Sequence, residues 1–164
     1  MKKAVCIFLL MFLFAGVSKA QMYTDFTLPD VDGADVTLSK VLDNSKGVLV
    51  AFCATWCTPC KEEMKKLEDV YQKYKDQGFE YLAVNVDNQK SSSKVKSFVT
   101  AQNFSFKVLM DPEKRVFESY GGKDEMPYSL MINKNKEIVA LHIGFKTGDE
   151  VKIEEEIKAM LGIK

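Results

Sequence analysis

Val48-Leu49-Val50-Ala51-Phe52-Cys53-Ala54-Thr55-Trp56-Cys57-Thr58-Pro59-Cys60 carries the densest structural information in the chain. The run Val48–Cys53 is continuously apolar, as expected of a central strand buried on both faces. Pro59 suits the first turn of a helix, where its missing N–H leaves no bond unmade. Cys57 and Cys60 therefore stand where a strand turns into a helix, close enough to join reversibly as a disulfide. The unpaired N–H groups at a helix N-terminus favour negative charge, so a thiolate at Cys57 is stabilised and its pKa depressed. A CxxC pair is also half of a zinc site. Zinc needs four ligands, and beyond the first twenty residues the other soft donors are Cys53 and the single His142. Cys53 is expected inside the strand, pointing away from the helix-start loop, which favours redox chemistry over metal binding.

Downstream the period changes. Met64, Leu67, Val70, Tyr71 and Tyr74 recur at three- and four-residue spacing, predicting a helix from Pro59 to Asp76 that Gly78 closes. Glu63 lies one turn after Cys60, with Leu67, Val70 and Tyr74 at +4, +7 and +11. At 3.6 residues per turn these share a stripe, so Glu63 belongs to the apolar face. A carboxyl buried there has a raised pKa and can exchange a proton with the Cys60 thiol. The alternative is a Glu63 at the edge of the stripe, simply solvated, as most glutamates are.

Beyond this unit the pattern reads as one α/β domain. Phe26, Leu28, Val31, Val36 and Leu38 surround the turn signal Asp30-Val31-Asp32-Gly33 and predict an N-terminal β-hairpin. Leu38-Ser39 opens a short helix that Asn44-Ser45-Lys46-Gly47 ends. Phe79–Val86 is a second apolar strand, and Ser91-Ser92-Ser93 precedes a helix carrying Val95, Phe98 and Val99. Phe106–Met110 is extended, and Asp111-Pro112 starts a helix through Val116, Phe117 and Tyr120. Tyr128–Ile132 and Ile138–Ile143 form a hairpin, and a final helix runs from about Gly148 to Leu161. These elements imply a mixed central sheet flanked by helices on both faces.

The chain has 164 residues, enough for one domain with a substantial core. Lys2 and Lys3 before an apolar stretch from Ala4 to Val17, then Ser18-Lys19-Ala20, have the layout of a secretory signal peptide cleaved after Ala20. Residues 1–20 are thus set apart from a domain at 21–164. The apolar stretch is shorter than the roughly 18 residues of a membrane span, although an uncleaved anchor is the competing reading. Loss of Lys2, Lys3 and Lys19 takes the charge from 23 basic and 23 acidic residues to 20 and 23, a net of −3. No basic block remains, which argues against nucleic acid as a partner. Three clustered cysteines (Cys53, Cys57 and Cys60) cannot staple distant segments, so they point to chemistry. Cys53 itself reads as a small buried hydrophobe.

With Cys57-Thr58-Pro59-Cys60 following Ala51-Phe52-Cys53-Ala54-Thr55-Trp56, the chain resembles thioredoxin-fold proteins. It most resembles the TlpA/ResA-like extracytoplasmic thiol–disulfide oxidoreductases. The resemblance spans residues 23–163 and includes Phe26-Thr27-Leu28-Pro29-Asp30, Asn85-Val86-Asp87, and Met126-Pro127 before Ser129-Leu130-Met131-Ile132-Asn133. It implies a cis proline at Pro127, facing the dithiol and pairing with substrate backbone, where an X–Pro bond taken alone is ordinarily trans. It implies an acidic residue three positions after the second cysteine, here Glu63. Three departures stand out. Ala51 occupies the position of the buried aspartate of cytosolic thioredoxins, Cys53 replaces an aromatic, and Tyr128 stands where threonine commonly follows the proline.

The resulting expectation is an exported, periplasmic or extracytoplasmic thiol–disulfide oxidoreductase that reduces protein disulfides. Cys57, Cys60 and Glu63 are its catalytic residues, and Trp56, Thr58, Pro59, Met126 and Pro127 meet the substrate. No cofactor and no metal are expected, and the protein is read as a monomer. Its partners are protein disulfides and a thiol–disulfide electron donor, for which a membrane-bound protein is one candidate. Two alternatives stand beside this reading. A thiol peroxidase would share the hairpin and core, but no distant second cysteine is present to resolve a sulfenate. A metal carrier would use Cys53, Cys57, Cys60 and His142.

Overall fold

The computed structural model describes residues 21–163, so the signal-peptide reading of residues 1–20 lies outside the described residues. In chain order the elements are β1 (Gln21–Met22), β2 (Thr27–Pro29), β3 (Asp35–Thr37), α1 (Leu38–Asp43), β4 (Gly47–Cys53), α2 (Thr58–Tyr74), β5 (Phe79–Asn85), α3 (Ser92–Gln102), β6 (Lys107–Met110), α4 (Arg115–Ser119), β7 (Tyr128–Asn133), β8 (Glu137–Ile143) and α5 (Asp149–Leu161). Six strands form one sheet in the order β1-β8-β7-β4-β5-β6, while β2 and β3 pair in a separate hairpin. The strands β4, β5 and β6 run parallel, and β7, β8 and β1 add antiparallel. All seven residues of β4 are buried, the pattern of a strand covered on both faces.

Register separates the two faces. Ala51 lies opposite Ser129 on one side and Ala83 on the other, while Phe52 lies opposite Tyr128 and Val84. The Ala51 face receives α2 and α5: Glu63 of α2 bonds Ser129, and Glu156 of α5 bonds His142, which is paired with Ser129. The Phe52 face receives α4 and α1. The Phe52 ring packs on Phe117 at 5.2 Å between centroids, and Val41 of α1 stands beside Leu82. Helices thus cover both faces, as the element order implies.

The local differences from the sequence expectation have physical causes. The two residues of β1 carry no strand pattern and are strand only because they pair with Ile138 and Glu137 at the edge of β8. Helix α4 starts at Arg115 rather than at Asp111-Pro112. Lys114 adopts φ 58° ahead of it, and the Asp111 carboxylate accepts the Phe117 N–H at 2.9 Å. Helix α2 ends at Tyr74, and a single 3₁₀ turn then leads to Gly78, whose φ of 97° closes the segment in the left-handed conformation. No helix among the described residues is long and apolar enough to cross a membrane.

Candidate active site

The dithiol sits at the seam between β4 and α2. Cys57 is the N-cap of α2, with extended backbone (φ −85°, ψ 105°), and its sulfur accepts the N–H of Cys60 at 3.2 Å. This is the contact an N-cap side chain makes to an orphan helix donor, here made to sulfur. The two cysteines are joined as a disulfide, with Cα atoms 5.3 Å apart. Cys57 retains 6% of its surface, whereas Cys60 is fully enclosed. An incoming group therefore meets Cys57 first. Trp56 is 62% exposed, and Thr58 and Pro59 are also exposed, forming the rim around Cys57.

Glu63 is fully buried on the sheet side of α2, as its stripe with Leu67, Val70 and Tyr74 predicts. The Ser129 hydroxyl donates to its Oε1 at 2.8 Å, and Oε2 has no partner. Removal from water disfavours the carboxylate, and the serine bond only partly offsets this, so the pKa rises to about 7. Positions three apart on a helix are neighbours, which sets this carboxyl beside Cys60.

A second buried carboxyl serves the loop in front of Cys57. Asp87 Oδ2 accepts the Thr55 N–H at 2.7 Å and the Asn85 side-chain amide at 2.8 Å, while Oδ1 accepts the Thr55 hydroxyl at 3.1 Å. The Asp87 N–H in turn donates to Asn85 Oδ1 at 3.0 Å. Two backbone bonds tighten the same corner, Val86 N–H to Cys53 carbonyl at 2.9 Å and Cys57 N–H to Ala54 carbonyl at 3.1 Å. Residues 54–57 are thus held from below by the end of β5. Sequence reasoning noted Asn85-Val86-Asp87 only as part of a resemblance and missed its role. The available signal was a polar pair interrupting an otherwise apolar strand end.

The Met126–Pro127 bond is cis, and Pro127 is buried directly before β7. Because β7 runs antiparallel to β4 with Tyr128 opposite Phe52, Pro127 comes to the same end of the sheet as Cys57. The Pro127 carbonyl already accepts the Gly144 N–H at 2.8 Å. The backbone free for an incoming chain is therefore that of half-buried Met126, whose N–H and carbonyl carry no bond among the described residues. Tyr128 does not reach the rim: its hydroxyl donates to the Tyr120 carbonyl at 2.8 Å, and its ring packs against Phe117 and Phe52.

Cys53 does not simply point away from the site. Its odd place in β4 puts it on the face of Ala51, beneath α2. Burial, then the Glu63 carboxyl, then that of Asp87 push its thiol far above the ordinary range, so it stays protonated. The remaining soft donor, His142, is engaged with Glu156 at 2.7 Å. Among the described residues no three His, Cys, Asp or Glu side chains converge as a metal cluster would require.

A dithiol capping a helix, with a cis proline at the neighbouring strand end, defines a thioredoxin-fold redox protein. The comparisons agree. A Chlorobium tepidum structure assigned as the thiol:disulfide interchange protein DsbE superposes with a TM-score of 0.79 and 33% identity, covering 87% of this chain and 97% of that one. The AhpC/TSA family profile matches residues 20–141. The thiol-disulfide oxidoreductase ResA of Halalkalibacterium halodurans is 35% identical over 131 residues, 80% of this chain and 70% of its own. That of Bacillus subtilis is 32% identical over 138 residues, 82% of this chain and 74% of its own. The chain belongs to the AhpC/TSA family, among its ResA-like thiol–disulfide oxidoreductases.

Proposed function

We propose that this oxidoreductase works as a reductase of protein disulfides outside the cytoplasm. The observation that carries the assignment of roles is the asymmetry of the pair: Cys57 meets solvent at the helix N-terminus, and Cys60 is closed off behind it. In the dithiol state the Cys57 thiolate attacks one sulfur of a substrate disulfide. A mixed disulfide forms, and the other substrate sulfur leaves as a thiolate and takes up a proton. Cys60 then loses its proton and attacks Cys57 Sγ, expelling the second substrate thiolate, which is protonated in turn. Two electrons pass to the substrate, its two sulfurs take up two protons (one balancing that lost by Cys60 and one from solvent), and the protein is left with the Cys57–Cys60 disulfide. Glu63, poised to titrate near neutrality, takes the Cys60 proton at the resolving step. Trp56, Thr58 and Pro59 form the contact rim, with the free Met126 backbone beside cis Pro127 pairing with the substrate chain.

Reactivation requires a thiol–disulfide electron donor, and the protein acts as a monomer on this reading. Export rests on the Lys2-Lys3, apolar and Ser18-Lys19-Ala20 layout, with the mature domain beginning at Gln21. The test combines four measurements. The reduced protein should cleave an inter-chain disulfide of a folded protein, and Cys60→Ser should accumulate the mixed disulfide through Cys57. A Cys57–Cys60 reduction potential near that of thioredoxin, about −270 mV, supports the reducing direction, and one near −120 mV reverses it. Consumption of hydrogen peroxide at a rate exceeding disulfide cleavage would favour the peroxidase alternative.

A further inference from the structure

A groove of about 660 Å³ runs between α2 and α3, and it opens at Thr55 and Thr58 beside Cys57. Lys61 and Lys65 line one wall, one turn apart on α2, and Lys94 of α3 faces them. Phe98 supplies an apolar surface between the charges. None of these three lysines has a carboxylate within ion-pair distance among the described residues. The acid on the same wall, Glu62, is bonded by the Thr147 hydroxyl. The basic groove is not a reflection of overall charge, since residues 21–164 carry 20 basic and 23 acidic residues. Its size lies within the roughly 300–1,000 Å³ typical of ligand sites.

We infer that this groove receives an acidic segment of the disulfide substrate. Aspartate or glutamate residues next to the reacting cysteine lie between Lys61, Lys65 and Lys94, while their aliphatic neighbours rest on Phe98. The inference rests on the reductase reading above and assigns the class of protein chain that the same site prefers. Complementary charge raises encounter rates with such chains and disfavours basic ones. Because the groove is open to solvent, the preference weakens when salt shortens the range of the field.

The experiment uses three short peptides, each carrying one mixed disulfide with cysteamine capped as its N-acetyl derivative, so that the leaving group is neutral. Their flanks are acidic, neutral or basic, and the dithiol protein reduces each in a stopped-flow assay. At low ionic strength the acidic peptide should react about tenfold faster than the basic one, the lower end of electrostatic rate enhancement. Raising the salt should compress that ratio toward one. The triple variant Lys61→Glu, Lys65→Glu, Lys94→Glu should invert the ratio. A single reversal within the groove, Lys61→Glu, should already lower the ratio, whereas Lys75→Glu, the same single charge change beyond the end of α2, should leave it close to the wild-type value. Titration of the disulfide-form protein with the acidic peptide bearing serine for cysteine should shift amide resonances at Thr58, Lys94 and Phe98. Equal rates for acidic and basic peptides in a protein that reduces the neutral one would overturn the groove assignment alone. Failure to reduce even the neutral peptide would instead bring down the reductase reading, and this inference with it.

Discussion

Glu63 and Asp87 place two carboxyl groups out of water near the dithiol, one on the helix behind Cys60 and one under the loop before Cys57. They are served differently. Asp87 accepts three hydrogen bonds, from Thr55 N–H, the Thr55 hydroxyl and the Asn85 amide, so both of its oxygens are held by fixed donors. Glu63 accepts one, from Ser129, and its second oxygen is unpaired. The same chemical group is thus used once as an anchor with both oxygens held, and once as a buried carboxyl whose single donor leaves its pKa raised.

If that contrast is right, the two residues respond to substitution with opposite sign. Asp87→Ala strands the Thr55 N–H and the Asn85 amide in a buried corner. At about 1–3 kcal/mol for each orphaned group, the loss should reach roughly 2–6 kcal/mol in urea unfolding, the largest effect expected here. An Asp87→Ala protein as stable as wild type would show that the loop is held without it. Glu63→Gln should do the reverse. Because the folded-state pKa of Glu63 is raised to about 7 from an unfolded value near 4.3, the folded protein keeps a proton that the unfolded chain has already released between about pH 4.5 and 7. Wild-type stability therefore falls across that window as pH rises, and is level above it. Glu63→Gln removes the slope and should stabilise the protein by roughly 3 kcal/mol at pH 8, with little change at pH 4. Parallel pH–stability curves for the two proteins would mean that Glu63 does not carry the proton.

The uneven legibility of these two carboxyls in the sequence has a simple physical origin. Glu63 is visible because helical period alone puts it on the stripe of Leu67, Val70 and Tyr74. The β4–α2–β5 unit is visible for the same reason: its apolar runs and its helix pattern are local. Ser129, the partner of Glu63, lies 66 positions away on β7, which is buried on both faces and so shows no alternation to mark which residues face α2. Asp87 and Thr55 are 32 positions apart and meet only because β4 and β5 pair in register. Strand β1 exists only through its pairing with β8, and no local pattern could announce it. The cis bond at Pro127 was legible through the family resemblance alone. Apart from that bond, the hidden feature in each case is a pairing between distant segments, which a single sequence does not encode locally.

Kinetics sharpen the contrast further. Glu63→Gln should leave alkylation of reduced Cys57 nearly unchanged and slow resolution of the mixed disulfide about a hundredfold at pH 7.5, the lower end of what a general base contributes. The pH dependence of that step should flatten as well. Single-turnover resolution equal to wild type from pH 5 to 9 would reduce Glu63 to a structural role.

The smallest effect is expected at Cys53, whose thiol feels both carboxyls. Burial and these two acids hold it protonated well above neutral pH, and it is 2% exposed. It therefore has neither the thiolate nor the access that a third redox thiol would need. Cys53→Ala removes a small buried side chain and should cost about 1 kcal/mol of stability, at the low end of large-to-small core substitutions. Disulfide cleavage by the variant should proceed at close to the wild-type rate. In the native, reduced wild type, iodoacetamide at pH 8 should label Cys57 and leave Cys53 untouched until the protein unfolds. Labelling of Cys53 at a rate near that of Cys57 would mean that the interior between Glu63 and Asp87 is open to water. The raised pKa of Glu63, which depends on that interior being dry, would then fail together with the protected thiol.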